Sequence, residues 1–456
     1  MDLFTNQTRA QLGNMARFND ALNAMILPTP DAALQDAARA DAALARGECL
    51  GLLHGMTVSV KDNIDMAGLP TTAGARFLAD NIAQTDAPVV ARLRRAGAVI
   101  VGKANMAELA FGSRSFSAVG GQCRNPWDRE RIPGGSSGGS AVSVAADFCT
   151  GSLGTDTGGS VRGPACYNGL TGLRVTHGRV PINGVVPVSE HNDTVGPIAR
   201  AATDVARLFA VIAGYDDGDP NAVPPSRAAN ASIESLLHNF LPTLNDGIRG
   251  KRIGIAQKPY FEQLEAGVAD KVMAAAAELE RAGAVLIDVD LPLAPEVHAH
   301  ASASIFSDVC SVFFERLSNA PETITASVVE RMRHGLQVTG VRYAQAQAFR
   351  IRWRRQLAQL FHGVDLLLSP TSPGGAPLID DGANLLEATR RATVNTYAGA
   401  YGGIPGISIP CGFSATGMPL GLQLEAAWWN EPLLLQAAVA YQAVTDFHTR
   451  RAPMLA

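Results

Sequence analysis

Residues 133–162, PGGSSGGSAVSVAADFCTGSLGTDTGGSVR, decide how this 456-residue chain is read. The seven residues after Pro133 carry no large side chain, so their backbone can approach a neighbour closely or take up positive φ, and two hydroxyls share one turn. The stretch then enters an amphipathic Ala/Val helix, SAVSVAAD, and an apolar strand within FCTGSL, before a second glycine-rich turn at Gly154–Arg162. A flexible Gly/Ser linker would join polar surroundings, whereas this one leads straight into a helix and a strand. A phosphate-binding P-loop is excluded, because no Lys-Ser/Thr pair follows the glycines.

The same alternation extends outward. Upstream lie MTVSV (56–60), the helical DAPVVARLRRAGA (86–98) and AVIVGKA (98–104). Downstream lie KRIGIAQ (251–257), the helical ADKVMAAAAELERAG (269–283), AVLIDVDLP (284–292) and a helical stretch over 300–362, then VDLLLSPTSP (364–373), GIPGISIPCGF (403–413), PLGLQLEA (419–426) and a last helix from Glu431. Short apolar runs alternating with helices predict an α/β fold with a single large mixed, mostly parallel β-sheet core flanked by helices on both faces. Active sites of such sheets open at the carboxyl ends of the strands. Residues 1–50 read as two helices outside the core, interrupted at Pro28 and Pro30, and GYDDGDPNAVPPSRAAN (214–230) reads as an exposed loop. The expectation is one domain over 1–456, with a core at about 50–210 and a variable pocket region at about 214–362.

Apolar residues make up 47% of the chain and charged residues 18%, enough for a large core. The formal net charge of −4 argues against a nucleic-acid binder with a basic face. A small uncharged or mildly polar molecule is the expected partner, with no nucleic acid and no membrane, and a homodimer is left open. Six cysteines (Cys49, Cys123, Cys149, Cys166, Cys310, Cys411) form no CxxC pair and have no histidine at metal spacing, so reduced thiols and no metal are expected. The N-terminal segment lacks a basic and apolar leader pattern, and no window approaches the roughly 18 apolar residues of a membrane span, which predicts a cytoplasmic protein.

Three segments carry chemistry. In Gly154–Arg162 a serine after two glycines at a strand-to-helix turn can project its hydroxyl into a cleft while successive backbone N–H groups aim at one spot, as in an oxyanion hole, although a tight turn alone has the same look. Pro133–Ser140 brings further hydroxyls. Lys61 directly follows a buried-looking strand, where partial burial lowers an amine's pKa and frees it to act as a base; a salt-bridged structural lysine is the alternative. No histidine stands in a pattern that pairs it with a nucleophile, His54, His177 and His191 included, so a Ser-Lys arrangement is favoured over Ser-His-Asp.

Together these segments resemble the amidase signature family. Val60-Lys61-Asp62-Asn63, Gly134–Ser140 and Gly154–Arg162 occur in the family's order, with Ser136 and Ser160 at the family's separation of 24 residues. Supporting matches run from Leu22-Asn-Ala24 through Val99–Lys103, Arg124–Trp127, Asp193–Pro197 and Leu366–Thr371 to Gly421-Leu-Gln423. The resemblance implies the amidase signature fold, Ser160 as nucleophile, Ser136 as a bridging serine after a cis peptide bond, and Lys61 as base. It further implies an oxyanion hole at Thr157, Gly158 and Gly159, substrate contact at the carbonyl around Ala110, support from Arg162 and Asp193, and no cofactor. The activity implied is hydrolysis of a carbon–nitrogen amide bond through an acyl-enzyme, releasing ammonia or an amine. The alternative is the glutaminase subunit of a tRNA-dependent amidotransferase. Two departures, Gly172-Leu-Arg-Val-Thr176 where many members read Gly-Leu-Lys-Pro-Thr, and an unmatched stretch over 300–345, favour a free-standing hydrolase. Aromatic residues such as Phe111, Phe306 and Trp428 read equally as pocket wall and as core.

Overall fold

Alternate residues of the apolar runs face opposite sides of one eleven-stranded sheet, seen in a computed structural model that describes residues 2–224 and 239–455. The strands are β1 (Met25–Pro28), β2 (Thr57–Lys61), β3 (Val99–Ala104), β4 (Phe116–Ser117), β5 (Gly121–Gln122), β6 (Gly151–Thr155), β7 (Thr171–Arg174), β8 (Val195–Ala199), β9 (Arg252–Ile255), β10 (Val285–Asp288), β11 (Leu366–Pro370), β12 (Gly406–Phe413) and β13 (Pro419–Ala426). β4 and β5 make a separate ribbon; the large sheet has the order β1-β3-β2-β6-β8-β7-β12-β13-β11-β9-β10.

The sheet is mixed, as expected, but less parallel than the sequence suggested. Parallel pairs occur only in the blocks β3-β2-β6 and β11-β9-β10; the other six pairs are antiparallel. Parallel neighbours need a crossover of a dozen or more residues, usually a helix. Such helices lie between β2 and β3, β3 and β6, and β9 and β10, whereas β12 returns to β13 through a short turn at Ser414–Gly417. β1, β7 and β8 are short strands with no clear sequence pattern.

The period of two sorts the core. Val58 and Val60 of β2 and Leu366 and Leu368 of β11 pack on one face with helices Pro88–Arg95, Ala202–Ile212, Val268–Arg281 and Glu431–Val444. Val99 and Val101 of β3 face the other side, under helices Leu3–Leu22, Pro30–Ala45 and Gly138–Ala145. Leu367 belongs to a third cluster, beneath helices Ala294–Val312, Ala326–Leu336 and Gly340–Gly363.

Helix Gly138–Ala145 is buried on every side rather than amphipathic. Its polar groups are satisfied inside: Ser140 donates to the Leu153 carbonyl at 3.1 Å, and Ser143 meets Ser59 at 2.8 Å. Gly139 permits the contact, since a Cβ there would sit 2.3 Å from the Asn105 carbonyl oxygen and 2.4 Å from that of Ala24. A similar approach occurs at Gly335, where a Cβ would lie 2.1 Å from the Phe306 carbonyl oxygen, locking helix Ala326–Leu336 onto Ala294–Val312. The loop expected at 214–230 is turn and irregular structure over 214–224, and its remainder lies outside the described residues. The six cysteines are free thiols, and no helix among the described residues is long and apolar enough to cross a membrane.

Candidate active site

Lys61 ends β2, between β3 and β6, and its whole side chain is buried. Its Nζ lies 2.8 Å from Ser136 Oγ and 2.6 Å from Thr155 Oγ1. No carboxylate lies within ion-pair distance of it among the described residues. Burial therefore lowers its pKa to about 7, against the opposing pull of Asp193 and Asp156.

Ser136 follows a cis Gly135–Ser136 peptide bond, and its carbonyl accepts from the Ala107 N–H at 3.0 Å. The two glycine-rich loops are joined through backbone: the Ser137 N–H donates to the Ser160 carbonyl at 3.2 Å. No hydrogen bond connects the Ser136 and Ser160 hydroxyls, and the partly exposed Ser160 hydroxyl has no partner among the described residues.

Asp156 organises the turn that carries Ser160. Its carboxylate accepts from the N–H groups of Gly159 at 2.7 Å and Val161 at 3.2 Å, from Arg162 Nε at 3.1 Å and from Arg174 Nη1 at 3.0 Å. Burial alone would raise its pKa, yet Arg162 and Arg174 hold it well below the usual carboxylate range. Arg174 also donates to the Asp156 carbonyl and, at 2.8 Å, to that of Asn192, so the planar fork at the departure from the family pattern ties two loops together. Asp193, raised to about 6 by burial, takes the Thr157 hydroxyl at 2.5 Å and the N–H groups of Val188 and Ser189.

Because the Gly159 N–H is committed to Asp156, the expected donor array is altered. The N–H groups of Thr157, Gly158 and Ser160 have no acceptor among the described residues. They border a cavity of about 30 Å³ lined by Ala110, Phe111, Gly135, Ser160, Arg331 and Tyr397, with others. Leu109 and Ala110, at φ 53° and 52°, occupy the left-handed region on its rim, a conformation that side chains resist. Larger cavities elsewhere, of about 380 Å³ beside Asp147 and Arg200 and 250 Å³ beside Asn183 and Asp219, contain no comparable hydroxyl–amine pair.

Sequence reasoning missed Thr155, Asp156, Arg331 and Tyr397. The first two stand in the quoted motif, where Thr157, the glycines, Ser160 and Arg162 drew the attention. Arg331 is 3% exposed. It shares the inner helix face with Val328, Met332 and Gly335, three and four residues apart, which was its only signal. Its guanidinium sits 3.7 Å over the Phe111 ring and 4.6 Å from that of Phe306, beside the Tyr397 hydroxyl. Burial lowers its pKa only to about 10, so it stays a cation at neutral pH. No ion pair reaches it and its Nε has no acceptor, among the described residues. No cluster of three metal-ligating side chains occurs among the described residues.

The Amidase family profile matches residues 6–435. The chain belongs to the amidase family. Members act on carbon–nitrogen bonds, and the relatives of this chain show the family's range. It is 35% identical to a glutamyl-tRNA(Gln) amidotransferase subunit of Methylococcus capsulatus, over 97% of this chain and 94% of that one. The peptide amidase of Stenotrophomonas maltophilia superposes with a TM-score of 0.84 at 32% identity, covering 99% and 95% of the two chains. A chain from a vestigial protein complex, described as revealing the origins of an s-triazine catabolic enzyme, superposes at 0.89 with 31% identity, covering 96% and 95%.

These relatives correct the expectation of a small-molecule partner alone with no nucleic acid. Several are by name subunits of a glutamyl-tRNA(Gln) amidotransferase, and so work in an assembly. Net charge misled because it sums over the entire chain: helix Gly340–Gly363 alone carries Arg342, Arg350, Arg352, Arg354 and Arg355 and no acidic residue.

Replacing Arg174 with Met should destabilise this amidase by about 3–5 kcal/mol, the range for removing one partner of a buried ion pair. Urea denaturation checks this; an unchanged midpoint would mean that Arg162 alone suffices for Asp156.

Proposed function

We propose that this enzyme hydrolyses a small primary amide that carries a carboxylate, releasing ammonia through a Lys61–Ser136–Ser160 relay. The observation that carries the chemistry is the 2.8 Å contact between Ser136 and an amine whose pKa is near neutrality. Neutral Lys61 accepts a proton from Ser136 as Ser136 accepts one from Ser160, and the Ser160 oxygen attacks the amide carbon. The oxyanion rests on the N–H groups of Thr157, Gly158 and Ser160, each such donor being worth roughly 3–4 kcal/mol. The proton returns to the nitrogen, the carbon–nitrogen bond breaks, ammonia leaves, and water cleaves the acyl-enzyme. On the acyl side, Arg331 is a desolvated cation with no anion of its own, which suits a substrate carboxylate.

The relatives favour a particular setting. Kinship with the amidotransferase chains supports a subunit whose ammonia passes to a tRNA-handling assembly, over a free-standing hydrolase. Co-purification of the chain with a second, different chain, and ammonia transfer to glutamyl-tRNA, would test that setting.

Ser160→Ala and Lys61→Ala should each lower turnover by about 10³-fold or more while circular dichroism stays native; near-normal rates in either would remove the relay. In the wild type, kcat/KM should fall about tenfold per pH unit below about 7, because protonated Lys61 cannot accept a proton, and level off above. A rate flat from pH 5 to 9 would contradict this. Arg331→Met should raise KM about 10–100-fold for a carboxylated amide and leave a neutral amide nearly unaffected, with partial recovery in Arg331→Lys. Equal losses on both substrates would remove the anchoring role.

A further inference from the structure

We infer that the site is built for the monoamide of a dicarboxylic acid, an anion, in preference to an α-amino acid amide such as glutamine. The inference rests on the anchoring role of Arg331 and extends it through the charges around the cavity.

Facing the substrate's far end are one cation and neutral groups. Besides Arg331, the wall is made by Phe111, Thr389, Thr393 and Tyr397. The hydroxyl of Thr389 is directed to the Leu385 carbonyl at 2.7 Å and that of Thr393 to the Thr389 carbonyl at 2.8 Å. Behind them His298 stacks on Tyr397 at 4.7 Å and reaches Thr393 at 3.2 Å. Burial lowers its pKa to about 4, so it is neutral.

No carboxylate lines this cavity among the described residues. The nearest acids stand outside the lining, and Glu108 keeps one carboxylate oxygen, Oε1, without a partner. Asp193 accepts from Thr157, Val188 and Ser189, and Glu108 accepts from the Thr325 N–H at 3.0 Å.

Glutamine brings a carboxylate and an ammonium on the same carbon. If Arg331 takes the carboxylate, the ammonium enters the same enclosed wall, beside a guanidinium and without a counter-charge. Packed against Phe111 and Tyr397, it loses part of its water and gains no acceptor of opposite charge. A buried cation without a partner is strongly disfavoured, and a like charge nearby adds to the cost. An acid amide without the amino group meets the cation and avoids both penalties.

The test compares three amides of one length on the intact chain: glutaramate, L-2-hydroxyglutaramate and L-glutamine, with succinamate and L-asparagine as a shorter pair. Ammonia release gives kcat/KM. Glutaramate and its hydroxy analogue should agree within about threefold, and glutamine should fall at least about tenfold below both, with the same order in the shorter pair. Glutamine equal to or better than glutaramate would overturn the inference and return the chain to the glutaminase reading. A hydroxy analogue as poor as glutamine would also overturn it, by assigning the discrimination to size. If every carboxylated amide falls below neutral valeramide, Arg331 does not anchor the substrate, a failure of the underlying reading visible as such.

Discussion

The fold of the site depends on one buried carboxylate. Asp156 is removed from water, a state tolerated only because two guanidiniums and several backbone N–H groups surround it. Those bonds bend the chain from β6 into the turn of Ser160, and by engaging the Gly159 N–H they leave its neighbours facing the cavity. Arg162 continues the network to Gln423 at 2.9 Å and the Thr396 carbonyl at 3.1 Å, so the turn is braced against β13 and the Tyr397–Gly402 helix. Rigidity of this kind lets backbone donors stabilise developing charge without reorganising.

Lys61 shows the opposite electrostatic choice. The neighbouring strand β3 carries Lys103, equally buried, but that amine sits 3.4 Å from the Asp62 carboxylate and donates to the carbonyls of Ile64 and Pro70. Lys61 contacts only hydroxyl groups. Two lysines on adjacent parallel strands thus differ in whether an anion accompanies them, and the unaccompanied one can shed its proton near neutral pH.

Most of the strands were legible because they are short apolar runs bounded by glycine-rich turns, and the three chemical segments stood out by composition and order. The directions of the central strands were not. Thr171–Arg174 and Val195–Ala199 lack a strong alternation, and their pairing is set by contacts distant in sequence. Lys61 could not be told from Lys103, since the distinguishing anion is recruited by the fold. Arg331 was hidden because a cation in a polar-looking helix reads as solvated; only the aromatic pair Phe111 and Phe306, brought from 195 residues apart, makes its burial tolerable. The overall charge, by averaging the entire surface, gave a misleading view of partners.

The close seating of Gly335 against Phe306 has a wider meaning. On the proposed mechanism, the groups that break the bond come from residues 61–160, while the cation of Arg331 rides on a helical layer fastened to its neighbour at that glycine. On that mechanism, a change confined to the helical piece would alter which amide is held and leave the bond-breaking groups in place.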